Sequence, residues 1–121
     1  MPHLTVEYTD NIKNEINPNL LLKKMNESLL SHDGLFTAQG IRSRALQLTD
    51  YVVGYGDQND AFIHTTLKIA PGRTEEAKKK VFDDLFRTID EYLKEAAIDK
   101  QITISLEFSE LKTGGSMYHQ K

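Results

Sequence analysis

The chain of 121 residues contains the order strand, helix, strand twice, and this repeat limits the folds that it can adopt. In the first half, an alternating apolar run at 4–8 precedes a helical pattern that begins at Pro18 and a strand-like run at 40–53. In the second half, strand patterns at 61–70 and 101–108 flank a second apolar stripe of helical period. The halves share no residue-by-residue identity, so the repeat is one of architecture.

Both helices carry recognisable end signals. Asn17 is a good N-cap residue, and Pro18 suits the first helical position. Thr74 caps the second helix, and Glu75 and Glu76 follow it in the first turn, where the helix dipole favours negative charge. We expect Gly34 to close the first helix. The apolar stripes that should face the core comprise Leu21, Met25 and Leu29 in the first helix and Ala77, Val81, Leu85, Ile89 and Leu93 in the second.

Within each half, the connection between the strands is long enough for a right-handed parallel crossover. We therefore predict an α+β fold in which a tandem β-α-β repeat forms a four-stranded sheet with two helices on one face. We expect one domain over residues 1–121, with halves at about 1–53 and 61–109 joined by a loop at 54–60 and followed by a C-terminal tail.

The sheet face away from the helices has a mixed polar pattern. Its predicted side chains are His3, Thr5, Glu7, Thr103, Ser105 and Glu107. The predicted edge strands also lack an obvious feature that would keep them from pairing with another chain. A closed oligomer that covers both features and a solvated sheet face on a monomer are both compatible with this pattern.

Composition excludes several function classes. A net charge of −3 argues against a nucleic-acid partner, and the absence of cysteine excludes disulfides, thiolate metal sites and a cysteine nucleophile. No apolar run approaches the roughly 20 residues of a membrane span, and the N-terminus does not resemble a signal peptide, so we expect a cytoplasmic protein with no membrane partner. We expect no metal site, because metal-ligand spacing is absent among His3, His32, His64 and His119.

The N-terminal stretch MPHLTVEYTD places proline at the second position, directly before the first strand. If Met1 is retained, Pro2 is an amide that simply starts an edge strand. If Met1 is removed, as is expected when a small residue follows it, Pro2 becomes a rigid secondary amine and a possible general base. The dipeptide alone leaves both interpretations open.

Three arginines are candidates for recognising an anion. Arg42 and Arg44 leave the same face of a strand about 7 Å apart, so they need acidic neighbours or an anionic ligand. Ion pairs with Glu7 or Glu107 are one interpretation, and binding of a substrate carboxylate by the guanidinium fork is the other. Arg73 precedes the second helix, where backbone amides also favour anions.

The strand that begins at Pro2, GIRSR at 40–44 and LKIAPGR at 67–73 occur together within the doubled strand-helix-strand pattern. With this combination, essentially the whole chain resembles the 5-carboxymethyl-2-hydroxymuconate Δ-isomerases, a family of the tautomerase superfamily. The loop at 50–60 and the tail at 110–121 are the least distinctive parts.

The resemblance implies a homotrimer of β-α-β-β-α-β subunits that uses no cofactor or metal. It implies that Pro2 is the catalytic base after loss of Met1, that Arg42 and Arg73 bind substrate, and that Arg44 is a further arginine of the same motif. The implied reaction converts a dienol tricarboxylate to its conjugated keto isomer in bacterial degradation of homoprotocatechuate, an aromatic acid. Proton transfer by one amine fits this chemistry.

Two other functions remain compatible with the sequence. One is another activity of the superfamily, such as a phenylpyruvate-type keto-enol tautomerase or hydration and dehalogenation chemistry. The other is a non-catalytic trimeric binding protein that retains Met1. Phe36 and Phe62 are candidates both for an apolar pocket wall and for the core.

Overall fold

The computed structural model describes residues 1–57, 59–111 and 119. Its strands and helices follow the predicted order: β1 (His3–Thr9), α1 (Pro18–Leu30), β2 (Arg42–Leu48), β3 (Asp60–Ile69), α2 (Glu75–Ala96) and β4 (Gln101–Glu110). Two one-turn 3-10 helices lie at Asp10–Ile12 and Ala38–Gly40. Within the described residues, neither α-helix is long and apolar enough to cross a membrane.

The four strands form one mixed sheet in the order β2-β1-β3-β4. Strand β1 pairs in parallel with β2, and β3 pairs in parallel with β4, as expected for two crossover units. The halves meet through antiparallel pairing of β1 with β3. The predicted four-stranded sheet with two helices is therefore confirmed.

One apolar core joins both helices to the same face of the sheet. Leu4 and Val6 of β1 alternate with polar residues and are buried, as are Ile63 and Leu67 of β3. The helix stripes that pack on them are buried at Leu21, Met25, Leu29, Val81, Leu85, Ile89 and Leu93. Burial of each such side chain stabilises the fold by roughly 1.5–3 kcal/mol.

Both predicted N-caps are confirmed. The side-chain oxygen of Asn17 accepts from the backbone N–H of Leu20 at 3.1 Å. The hydroxyl of Thr74 accepts from the backbone N–H of Ala77 at 3.1 Å. Each contact satisfies a donor that the first helical turn leaves unpaired, so the starts of both helices are set by local chemistry.

Two predicted element ends are wrong. Helix α1 ends at Leu30, and Gly34, at φ +78°, lies in the turn that follows rather than at the helix end. Strand β2 ends at Leu48 instead of continuing to residue 53. The reason is its partner, because Thr9 pairs with Leu48 and the chain then leaves the sheet in the 3-10 helix after β1.

The face of the sheet opposite the helices, here called the open face, is polar. In register across β2, β1 and β3, Arg42, His3 and Lys68 form one row of this face. The next row brings Arg44 beside Thr5. The open face therefore presents several cations close to the start of the chain.

Candidate active site

Strand pairing fixes the position of Pro2. The backbone N–H of Arg42 donates to the carbonyl of Pro2 at 3.0 Å, which extends the parallel ladder between β1 and β2 to the second residue. The Pro2 side chain is buried, with Gly40 beside its ring. The beginning of the chain is thus held in place.

Pro2, Arg42 and Arg73 line one cleft of about 270 Å³. Three separate parts of the chain contribute them: the start of β1, the start of β2 and the turn before α2. The other lining residues are Met1, Leu35, Phe36, Thr37, Gln39 and Gly40. The structure therefore brings three of the four sequence-predicted site residues together.

Two backbone carbonyls accept hydrogen bonds from the guanidinium of Arg73 and hold it in place. Its Nη1 donates to the carbonyl of Ala70 at 2.9 Å, and its Nη2 donates to that of Leu35 at 2.7 Å. The guanidinium carbon lies 4.8 Å from the centre of the Phe36 ring. Gly72, at φ +116°, makes the preceding turn in a conformation that side chains disfavour. The result is a cation held in a defined orientation at the cleft.

Arg42 is also held by carbonyls. Its Nη1 donates to the carbonyl of Ile41 at 3.2 Å and to that of Gln39. These acceptors orient the guanidinium but carry no formal charge. Arg42 and Arg73 are therefore fixed without being neutralised.

Neither of the ion pairs considered from the sequence forms. Among the described residues, no aspartate or glutamate lies within ion-pair distance of Arg42, Arg44 or Arg73. Glu107 instead contacts Nε2 of His64 at 3.3 Å. The described part of the cleft thus has an unopposed positive charge, which suits an anionic ligand.

Arg44 lies outside this cleft. Its Nη1 contacts Nδ1 of His3 at 3.1 Å on the open face. Since a guanidinium can only donate, the Nδ1 of His3 accepts and carries no proton in this contact. Burial, followed by the charges of Arg44, the amino terminus, Arg42 and Lys68, lowers the pKa of His3 below its usual value.

The two phenylalanines considered as pocket residues lie in different parts of the structure. Phe36 lines the cleft and packs against the core edge, whereas Phe62 stacks edge-on with Tyr51 at a centroid distance of 6.2 Å. Phe36 is therefore the apolar wall beside Pro2.

Sequence reasoning missed the rest of the segment at 35–40 as a wall of the site. One usable signal was Gly40, the first residue of GIRSR. A Cβ at Gly40 would lie 3.0 Å from Oγ1 of Thr37 and 3.8 Å from Cδ of Pro2. The second distance is an ordinary van der Waals contact, so the glycine mainly leaves room for the Thr37 hydroxyl within the segment that packs beside Pro2. Among the residues that the structure describes, no group of three or more potential ligands could hold a metal ion.

Comparison with known proteins identifies relatives over nearly the whole chain. The family model for 5-carboxymethyl-2-hydroxymuconate isomerase matches residues 2–121. The 5-carboxymethyl-2-hydroxymuconate Delta-isomerase of Escherichia coli is 33% identical over 111 residues, which cover 92% of this chain and 87% of that protein.

Solved structures show the same fold. A 5-carboxymethyl-2-hydroxymuconate isomerase from Deinococcus radiodurans R1 matches with a TM-score of 0.91 and 36% identity over 99% of this chain and 90% of that chain. A more distant structure, described as a fused 4-OT symmetric trimer, has a TM-score of 0.60 and 19% identity, with 88% and 84% coverage. The tautomerase-like architecture is confirmed.

The lowered pKa of His3 predicts acid sensitivity. The folded chain keeps His3 neutral to a lower pH than the unfolded chain does, so below its ordinary pKa of about 6.5 unfolding takes up a proton. Denaturant titrations at about pH 7.5 and about pH 5.5 should therefore show a larger loss of unfolding free energy in the wild type than in His3→Asn, which keeps an acceptor but does not titrate. Equal losses in the two proteins would contradict this.

Proposed function

The chain belongs to the 5-carboxymethyl-2-hydroxymuconate isomerase family, and on that premise we propose that it converts a dienol polycarboxylate to its conjugated keto isomer through the amine of Pro2. Family membership makes it an isomerase. The substrate we propose is of the 5-carboxymethyl-2-hydroxymuconate type, and the setting is bacterial degradation of homoprotocatechuate in the cytoplasm. The observation that carries the proposal is the cleft in which Pro2 lies with Arg42 and Arg73.

The proposed reaction moves one proton. The Pro2 amine removes the hydroxyl proton of the dienol, the oxygen electrons form the carbonyl, and the double bonds shift along the chain. The resulting ammonium then returns the proton to the distant carbon, so the amine is regenerated and no atom is gained or lost. A single base that serves both ends of a conjugated system needs a fixed position, which the Pro2–Arg42 backbone hydrogen bond supports.

Removal of Met1 is a required part of this proposal. While Met1 is attached, the Pro2 nitrogen is an amide without a basic lone pair. Met1 also lines the cleft, so its loss frees the amine and enlarges the space for substrate. Burial of Pro2 and two nearby guanidinium charges both disfavour an ammonium, so they lower the amine pKa toward working pH.

The two cleft arginines have complementary roles in this mechanism. A guanidinium held by carbonyls presents its remaining N–H groups to carboxylates of the substrate. The same positive charge stabilises the negative charge that develops on the oxygen as its proton leaves. Because no described carboxylate competes for Arg42 or Arg73, a polyanionic substrate fits better than a monocarboxylate such as phenylpyruvate.

We also propose that the protein is a homotrimer. Strands β2 and β4 are the two edges of the sheet, and closed symmetric assembly would cover them. A solved structure with the same fold is described as a symmetric trimer, which supports this arrangement.

Substitution Pro2→Ala tests the proposed base. After processing it leaves a free primary amine but removes the rigid ring and its higher intrinsic basicity, so kcat/KM should fall sharply while circular dichroism shows an intact fold. The wild-type kcat/KM profile should have an acidic limb set by this amine, at a pH below the pKa of an unburied N-terminal proline. Unchanged activity in folded Pro2→Ala would remove Pro2 from the mechanism.

Substitutions Arg42→Ala and Arg73→Ala test substrate binding. Each should lower kcat/KM on a tricarboxylate dienol by roughly tenfold to a hundredfold, equal to about 1.5 to 3 kcal/mol for a lost charge-assisted contact. Arg87→Ala is the matched control, because Arg87 lies on α2 and contacts Asp84 at 3.0 Å. If both cleft variants retained wild-type kinetics, or if the wild type preferred a monocarboxylate enol, the polycarboxylate assignment would be wrong.

Light scattering tests the assembly. At micromolar concentration we expect a particle three times the mass of one chain, because closed symmetric assembly would cover the edge strands β2 and β4. A stable monomer at that concentration would contradict the trimer.

A further inference from the structure

A second group of cations lies on the open face beside the cleft. The register places His3 between Arg42 of β2 and Lys68 of β3, and it places Arg44 one row further along β2. Because neighbouring strands are about 4.8 Å apart, the Cα atoms of Arg42 and Lys68 are roughly 10 Å apart. Arg42 also lines the cleft, so the cleft and this group are continuous.

Among the described residues, no carboxylate lies within ion-pair distance of Arg42, Arg44 or Lys68. In the described part of the chain they share this property with Lys13, Lys23 and Lys24, but they alone are grouped in register on one sheet face beside the cleft. Glu7 lies on the same face, diagonal to Arg44 in the register, and forms no such pair. By contrast, ion pairs are formed by Lys78, Lys79, Lys80, Arg87, Lys94 and Lys100.

His3 orients this group without neutralising it. Its Nδ1 accepts from Arg44 at 3.1 Å, which requires an unprotonated ring nitrogen. A neutral imidazole supplies an acceptor but no negative charge. The Cα atoms of Arg42 and Arg44 are about 7 Å apart, and those of Arg42 and Lys68 are roughly 10 Å apart. These spacings are comparable with the Debye length of about 8 Å to 10 Å, so the like charges repel one another until an anion binds.

We propose that Arg44, Lys68 and His3 form an anion subsite that takes one carboxylate of the polycarboxylate whose other carboxylates bind in the cleft. This inference rests on the proposed function and deepens it, since it makes Lys68 and His3 determinants of specificity. The ligand extends past Arg42 from the cleft onto the open face. Lys68 contributes a point charge on a flexible side chain. Arg44 contributes a planar guanidinium that its contact with His3 orients.

The subsite has a signature that does not depend on catalysis. In the free protein Nδ1 of His3 accepts from Arg44. A carboxylate placed beside the ring favours the imidazolium, whose Nδ1–H donates to the ligand in place of that contact, so ligand binding raises the pKa of His3 from its lowered value. By linkage, binding of the ligand at a pH near the His3 pKa takes up a proton. The affinity for the ligand therefore rises as the pH falls. The charged groups that face His3 are Arg42 and Arg44 from β2, Lys68 from β3, Glu7 further along β1 and the amino terminus.

Citrate is a suitable probe, because it is a tricarboxylate that cannot undergo the dienol reaction. Calorimetry on the wild-type protein should show citrate binding that weakens with added salt, and NMR titration should show a higher His3 pKa with citrate than without it. Lys68→Gln and Arg44→Gln should each weaken citrate binding about tenfold, the effect of one charge-assisted contact. Lys23→Gln, which removes an exposed lysine of α1, is the control and should leave binding unchanged.

Kinetics supply the second arm of this test. For a tricarboxylate dienol, Lys68→Gln should raise KM about tenfold and change kcat less than twofold, because the subsite binds substrate remote from the reacting atoms. A monocarboxylate enol should show no change. Wild-type citrate affinity in both variants, or a His3 pKa that citrate does not move, would overturn the subsite. A protein with no isomerase activity but with the citrate effects would overturn the proposed function and leave the subsite standing.

Discussion

The placement of β1 in the interior of the sheet is the constraint on which the site depends. A chain terminus usually frays, but this one enters a strand that is hydrogen-bonded to β2 on one side and to β3 on the other. The ladder reaches the carbonyl of Pro2 through the N–H of Arg42. Pro2, the base that we propose, is therefore held in the sheet like a residue of an internal strand, and Arg42 is brought beside it by the same pairing.

Charged side chains are distributed unevenly between helix α2 and the cleft at the start of β1. The carboxylates of α2 largely pair with cations of the same helix, as in Lys79–Asp83 and Lys94–Asp90. The arginines near Pro2 are held by carbonyl oxygens and by an aromatic ring instead. A protein with a net charge of −3 thus keeps a locally positive cleft, a charge distribution that suits the anionic substrate and the neutral Pro2 amine that we propose.

The parts of the structure that local chemistry determines could be predicted from the sequence. The N-caps at Asn17 and Thr74 and the buried stripes of both helices depend on a few neighbouring residues. The end of β2 could not be predicted, since it depends on where its partner leaves the sheet. The same limit applies to the site. Arg42 and Arg44 share one strand face, but the three-dimensional position of the segment at 35–40 decides that Arg42, and not Arg44, lines the cleft. No periodic pattern marks that segment.

We propose that a free Pro2 amine in a cationic cleft transfers the proton. This proposal is tested most directly by separating processed protein from protein that retains Met1 and measuring intact mass and isomerase turnover on each fraction. We expect activity to follow the fraction of chains that begin at Pro2, and chains that retain Met1 to be inactive while keeping the same fold. Full turnover by protein whose mass includes Met1 would contradict the proposal.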